Sequence, residues 1–285
     1  MTIQRVGVVG CGLMGSGIAE VCARAGLDVL VREVTPEAAE AGRQKLVTSL
    51  DRGLSAGKLT EEERDAALSR LAFTTDLGDF ADRELVVEAV VEDEAMKVAI
   101  FQELDKVVAA EDAILASNTS SIPIMKLGTV TQRPEQVLGI HFFNPVPVLR
   151  LVELVTSLMT SDETTTRANA FATEQLHKIV IRSQDRAGFV VNYLLIPYLL
   201  SAIRMLESGF ASADDIDTGM VEGCSHPMGP LRLTDLIGLD TTLAVAQSLY
   251  EEFKEPLYAP PPLLSRMVDA GLLGRKTGRG FYQYR

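Results

Sequence analysis

Short apolar runs alternate with longer amphipathic stretches through the first two thirds of the chain. The runs fall at residues 6–9, 28–32, 85–90, 114–117, 137–140, 151–155 and 179–181, and helical periodicity fills most of the gaps. Such alternation predicts βαβ units and a mostly parallel, doubly wound sheet, with ligands expected beyond the carboxyl ends of the strands. Residues 36–71 are polar and rich in Ala, Glu, Lys and Arg, which predicts a solvated helical hairpin broken at Ser55-Ala56-Gly57-Lys58. After about Arg182 the strand signals stop and helical patterns run to the end. The expected organisation is therefore a domain over 1–184, a linker around Asp185-Arg186-Ala187-Gly188, and a smaller all-helical domain over 188–285. The closing stretch, Leu273 to Tyr282, holds too many glycines for a helix and reads as a tail laid back over the protein.

Composition narrows the function classes. The chain has 285 residues, 47% of them hydrophobic, enough for one large core and a second smaller one. Its formal net charge of −12 argues against nucleic acid as a partner. A local basic group or a helix N-terminus can still hold a small anionic ligand in such a protein. The three cysteines, Cys11, Cys22 and Cys224, are scattered, so no structural metal or disulfide framework is expected and a reducing, cytoplasmic setting is. The strand at 6–9 comes so early that no leader segment is expected before it. Residues 189–206 are the most apolar, but Asn192, Pro197 and Arg204 interrupt them, which predicts a buried helix and no membrane partner.

Chemistry concentrates at the ends of the predicted strands. The first runs into Gly10-Cys11-Gly12-Leu13-Met14-Gly15 and then a helix, and Glu33 ends the second strand at close to the expected interval after the glycines. This G-x-G-x-x-G in its strand–helix context predicts a Rossmann-like dinucleotide site. Gly10 serves the tight turn, Gly12 a close backbone approach to pyrophosphate, and Gly15 helix packing. A carboxylate at Glu33 accepts from a ribose 2′-hydroxyl and repels a 2′-phosphate, favouring NAD over NADP, although Arg32 beside it could recruit that phosphate. Later strands deliver Glu92 and Lys97, then Asn118 to Ser121, then His141 and Asn144 toward the same crevice. His141 ends one strand and Glu153 sits inside the next. Two prolines and Asn144 between them force a turn that could bring carboxylate and imidazole together. From these residues alone a general base with an orienting partner and a plain core histidine both stand. Lys45, Arg52 and Lys58 in the hairpin could meet an anionic substrate tail. Asn192 is open to a functional and a packing role.

Five segments together carry a resemblance that covers essentially the whole chain. Ala116-Ser117-Asn118-Thr119-Ser120-Ser121, His141-Phe142-Phe143-Asn144-Pro145-Val146-Pro147, Gly188-Phe189-Val190-Val191-Asn192, His226-Pro227-Met228-Gly229-Pro230 and the Gly274 to Tyr282 tail resemble the L-3-hydroxyacyl-CoA dehydrogenase family, above all its stand-alone bacterial 3-hydroxybutyryl-CoA members. The resemblance implies hydride transfer between NAD and the C3 hydroxyl of an acyl-CoA thioester, and a homodimer formed through the helical domain. It implies His141 as catalytic base with Glu153 as its partner, and Ser120 and Asn192 as donors to the reacting oxygen or thioester carbonyl. The cofactor contacts it implies are the glycine loop with Leu13 and Met14, Glu33, Glu92, Lys97, Ser120, Asn144 and Lys276. Ser49 is implied at the coenzyme A end, and Lys58 stands in for a basic residue that relatives place near Ala56. Tyr193, Ala187 and Arg150 depart from frequent family residues, the first two at the hinge. Two alternatives share the fold: a dehydrogenase of a free hydroxy acid, and a non-catalytic dinucleotide-binding protein of the crystallin kind.

Overall fold

A computed structural model describes residues 2–284. The chain divides between Arg186 and Ala187 into two compact units. The first holds one eight-stranded sheet built from β1 (Arg5–Val9), β2 (Asp28–Arg32), β3 (Leu71–Thr74), β4 (Leu85–Glu88), β5 (Ile114–Ser117), β6 (Val137–Phe142), β7 (Leu151–Thr156) and β8 (Ile179–Gln184). Spatial order is β3-β2-β1-β4-β5-β6-β7-β8. The first six in sequence run parallel, and the order reverses at β1, between β2 and β4. That reversal is where open α/β sheets place ligands.

β7 breaks the pattern and pairs antiparallel with β6, while β8 runs parallel to β7. The cause is the connection. A parallel crossover takes a dozen or more residues and usually a helix. The segment from Phe143 to Arg150 is shorter, carries Pro145 and Pro147, and contains a cis Asn144–Pro145 peptide bond.

β3 was not among the expected strands. It is four residues long, pairs only with β2 at the sheet edge, and is half-exposed along most of its length, so it lacks the continuous apolar run of the inner strands. β4, β5 and β6 are buried at every position. Helices α1 (Leu13–Arg24), α2 (Pro36–Ser55), α3 (Glu61–Ser69), α4 (Glu94–Val107), α5 (Ile124–Gly128) and α6 (Asp162–Ala170) connect the strands. Thr35 caps α2, and Thr60 with Glu63 forms a capping box on α3, which fixes the two arms of the predicted hairpin.

The second unit is helical: α7 (Val191–Glu207), α8 (Ala213–Cys224), α9 (Pro230–Ile237), α10 (Leu239–Phe253) and α11 (Pro262–Asp269). Ile196, Leu200, Ile203, Leu231, Leu239, Leu249 and Leu264 form its core. The helix expected to be buried over 189–206 begins at Val191, because Gly188 and Phe189 both take positive φ. It is buried on one face only, since Leu194 is 66% exposed. Among the described residues no helix is long and apolar enough to cross a membrane.

The glycine-rich tail folds onto α9 through a buried carboxylate. Asp235 is 1% exposed and accepts from the Phe281 and Tyr282 amides and the Tyr284 hydroxyl at 2.8–3.0 Å. A side chain at Gly280 would sit 2.0 Å from the Asp235 carboxylate, so close approach explains that glycine. Asp217 plays a parallel part, accepting from the first amides of α9 and from the Tyr282 hydroxyl. Asp235→Ala leaves those donors without an acceptor and is expected to cost about 3 kcal/mol. Urea unfolding of the full chain checks this, and a midpoint unchanged by the substitution would remove Asp235 as the anchor of the tail.

Candidate active site

The strand pairing places the two suspected catalytic side chains directly opposite each other. His141 of β6 and Glu153 of β7 are register partners, so both point to the same face. The His141 Nδ1 lies 2.7 Å from Glu153 Oε2, with Glu153 fully enclosed and His141 5% exposed. A carboxylate facing Nδ1 accepts its N–H and leaves the lone pair on Nε2. On that side the Ser120 hydroxyl stands 3.2 Å away and can donate to it. Phe143 packs against the ring at 4.7 Å between centroids, limiting its rotation.

Ser120 owes its position to Glu92. One oxygen of that carboxylate accepts from the amides of Ser120 (2.9 Å) and Ser121 (3.1 Å) and the hydroxyls of Thr119 (2.5 Å) and Ser121 (2.9 Å). Its other oxygen lies 2.8 Å from Lys97 Nζ, which also contacts Glu88 at 3.1 Å. Lys97 and Glu88 are buried, and Glu88 in turn accepts from Ser117 Oγ and the Val90 amide. Lys97, expected as a cofactor contact, therefore carries no open ammonium here. Its charge is enclosed by the carboxylates of Glu88 and Glu92. Glu88 is an addition to the residues that the sequence points to, whereas Asn118 was expected at the crevice. Asn118 Oδ1 accepts the Phe142 amide at 2.9 Å and so holds the end of β6 beside His141. A carboxylate inside a strand as apolar as β4 was the signal for Glu88, since such groups are enclosed only when paired.

The glycine loop fits a dinucleotide. Gly10 has φ +92°, and a side chain on Gly15 would meet the Gly10 carbonyl at 1.9 Å, so both positions require glycine. Gly12 starts α1 without a side-chain cap, and nothing lies within 4 Å of where its Cβ would be, which leaves the first amides of α1 open to an anion. Leu13 is 69% exposed at this opening, and Met14 packs inward against the core. Glu33, expected to face a ribose, also braces the loop by accepting the Cys11 amide at 2.5 Å. Arg32 Nε is turned to the Thr75 carbonyl at 3.3 Å. Burial, reinforced by the Glu33 charge, pushes the Cys11 thiol up to about 12, and burial raises Cys22 as far, so neither offers a thiolate at neutral pH.

Ser49, Leu13 and Asn144 line one cleft of about 730 Å³ together with Lys45 and Arg52. Lys58 does not line it. It lines a different cavity, of about 540 Å³. The turn after α2 carries Lys58 away from the α2 face that bears Ser49. Asn192 lies in the first turn of α7 in the second unit, half-buried. Lys276, also in the second unit, is ion-paired to Asp240 at 2.6 Å.

Burial would raise the Glu92 carboxyl, but the Lys97 charge and hydrogen bonds from Lys97, Thr119 and Ser121 outweigh it and hold the group below its ordinary 4.5. A carboxyl whose folded value is depressed stabilises fully above the unfolded value and loses that contribution as pH falls through the folded one. Wild-type stability is therefore expected to fall more steeply below about pH 4.5 than that of Glu92→Gln. Denaturant unfolding across that range checks it, and parallel slopes would contradict the role given to Glu92.

Residues 5–186 match the family model "3-hydroxyacyl-CoA dehydrogenase, NAD binding domain", and residues 188–284 match "3-hydroxyacyl-CoA dehydrogenase, C-terminal domain". The chain is 64% identical over 282 residues to a 3-hydroxybutyryl-CoA dehydrogenase of Mycobacterium tuberculosis, covering 99% of both. It is 42% identical over 291 residues to the mitochondrial hydroxyacyl-coenzyme A dehydrogenase of Rattus norvegicus, covering 99% of this chain and 92% of the relative. The crystal structure of (S)-3-hydroxybutyryl-CoA dehydrogenase from Ralstonia eutropha superimposes with a TM-score of 0.94 at 47% identity, covering all of both chains. The chain belongs to the 3-hydroxyacyl-CoA dehydrogenase family.

Proposed function

We propose that this chain is an NAD-dependent dehydrogenase that interconverts L-3-hydroxyacyl-CoA and 3-ketoacyl-CoA thioesters, with the four-carbon 3-hydroxybutyryl group as its substrate. The observation that carries the reading is the His141 ring, held at Nδ1 by Glu153 and presenting Nε2 beside Ser120. The substrate follows from the names of the close relatives.

NAD, bound at the glycine loop, supplies the hydride acceptor in oxidation and the donor in reduction. In oxidation His141 Nε2 takes the proton of the C3 hydroxyl, and Glu153 stabilises the imidazolium that results without taking the proton itself. Ser120 donates to the same oxygen and helps hold its developing charge. In reduction the His141 imidazolium returns the proton. Asn192 is proposed as the donor to the thioester carbonyl, Asn144 and Lys276 as cofactor contacts, and Ser49 with Lys45 and Arg52 as the surface for the coenzyme A end. The second unit is proposed to form a homodimer, a reading that the exposed Leu194, Phe210 and Leu257 support.

Acetoacetyl-CoA with NADH is expected to oxidise the cofactor. Absence of turnover with the thioester, together with turnover of free acetoacetate, would overturn the substrate assignment. His141→Gln is expected to lower kcat by roughly 10²–10⁴-fold while NADH still binds. Ser120→Ala is expected to lower kcat by roughly 10²-fold, the scale of one lost donor to the developing charge. A His141→Gln variant with wild-type turnover would remove His141 as the base.

A further inference from the structure

The cavity of about 540 Å³ that Lys58 faces is basic in a protein of net charge −12. Arg24, Lys58, Arg70, Arg150 and Lys178 line it with His177, against a lone carboxylate among its lining residues, Glu63. That carboxylate is committed to the start of α3, where it accepts the Thr60 amide at 2.9 Å. Five cations around one hollow repel one another unless an anion offsets them.

Lys178 sharpens the point. It is 9% exposed, and no carboxylate pairs with it among the described residues. Its Nζ donates to the Val146 and Leu149 carbonyls at 2.6 and 2.7 Å, which leaves its third N–H without a protein acceptor. Burial lowers the affinity of this amine for its proton, and the charges of Arg24 and Arg150 lower it further. Buried cations are ordinarily paired, so this one calls for an outside partner. Arg150 and Lys58 are exposed, and their side chains make no hydrogen bond or ion pair with any described residue. Arg70 spends one nitrogen on the Ala66 carbonyl, and Arg24 contacts Glu20 at 3.4 Å.

We infer that this cavity is a binding site for phosphate groups, held by Lys178 from within and by Arg150, Lys58, Arg70 and Arg24 around its mouth. Its lining includes neither His141, Ser120 and Glu153 nor the glycine loop, and it shares only Pro147 with the cleft of Ser49. Guanidinium groups suit phosphate because their parallel N–H donors match its oxygens. The site is tied to the catalytic strands through Lys178, which holds the two carbonyls of the turn joining β6 to β7. Val146 of that turn packs on Gly17 of α1, where a Cβ would lie 2.8 Å from its own. Two sources carry the group: the phosphorylated nucleotide end of a coenzyme A thioester, which rests on the function proposed above, and a free phosphate compound, which does not.

Calorimetric titration of the full-length protein at low salt, with inorganic pyrophosphate and with adenosine 3′,5′-bisphosphate as probes, tests the site. At least one probe is expected to bind once per chain and to weaken as salt rises. Arg150→Ala and Lys58→Ala should each reduce its affinity roughly tenfold, the scale of one charge-assisted hydrogen bond. Steady-state kinetics then separates the sources. A KM that rises for acetoacetyl-CoA but not for acetoacetyl-pantetheine assigns the site to coenzyme A, and unchanged KM values with weakened pyrophosphate binding assign it to a free phosphate compound. Either supports the inference. No binding of either probe, binding unaffected by both substitutions, or binding lost instead in Lys45→Ala would overturn it. Absence of turnover on any thioester with probe binding intact would strike at the proposed function and leave this site standing.

Discussion

The antiparallel pairing of β7 with β6 is the constraint on which the site depends. Chain direction reverses after His141 because the segment to Leu151 is too short and too rich in proline for a parallel crossover. Reversal fixes the register, and the register puts Glu153 opposite His141 with both side chains on one face. A slip of one residue would turn the carboxylate to the other face and leave a buried charge without a partner. The same pairing thus stabilises the sheet and selects the tautomer that leaves Nε2 able to take a proton.

A second layer of buried charge supports that arrangement from the neighbouring strands. Glu88, Lys97 and Glu92 form a chain of ion pairs that ends in four hydrogen bonds to the Thr119–Ser121 loop. Enclosed ions are costly unless every lone pair and proton finds a partner, and here Ser117, Val90 and the loop amides supply them. What the network provides is the placement of one hydroxyl, that of Ser120, at His141. Asn118 holds the adjoining end of β6 in the same way.

Legibility in the sequence followed the range of the interaction. The glycine loop was readable because each glycine answers a local backbone demand, and the inner strands because burial on both faces leaves continuous apolar runs. The His141–Glu153 pair was readable as a possibility, since the turn residues between them are local. β3 was not, because a short half-exposed edge strand leaves no apolar run. The role of Lys97 depends on two carboxylates from a strand end and a loop, which only the fold brings together. The separation of Lys58 from Ser49 depends on where the α2–α3 turn sends the chain, and the basic cavity joins residues from Arg24 to Lys178 that nothing in the linear order connects.

The central claim is that Glu153 holds neutral His141 with its proton on Nδ1 and its lone pair on Nε2. Nitrogen-15 NMR of the histidine-labelled protein tests this directly, since the chain has three histidines and His141→Gln identifies the signal. The account predicts a protonated Nδ1 and an unprotonated Nε2 for neutral His141, with that preference weakened in Glu153→Gln. A neutral ring protonated on Nε2, or a tautomer indifferent to the loss of the Glu153 charge, would contradict it.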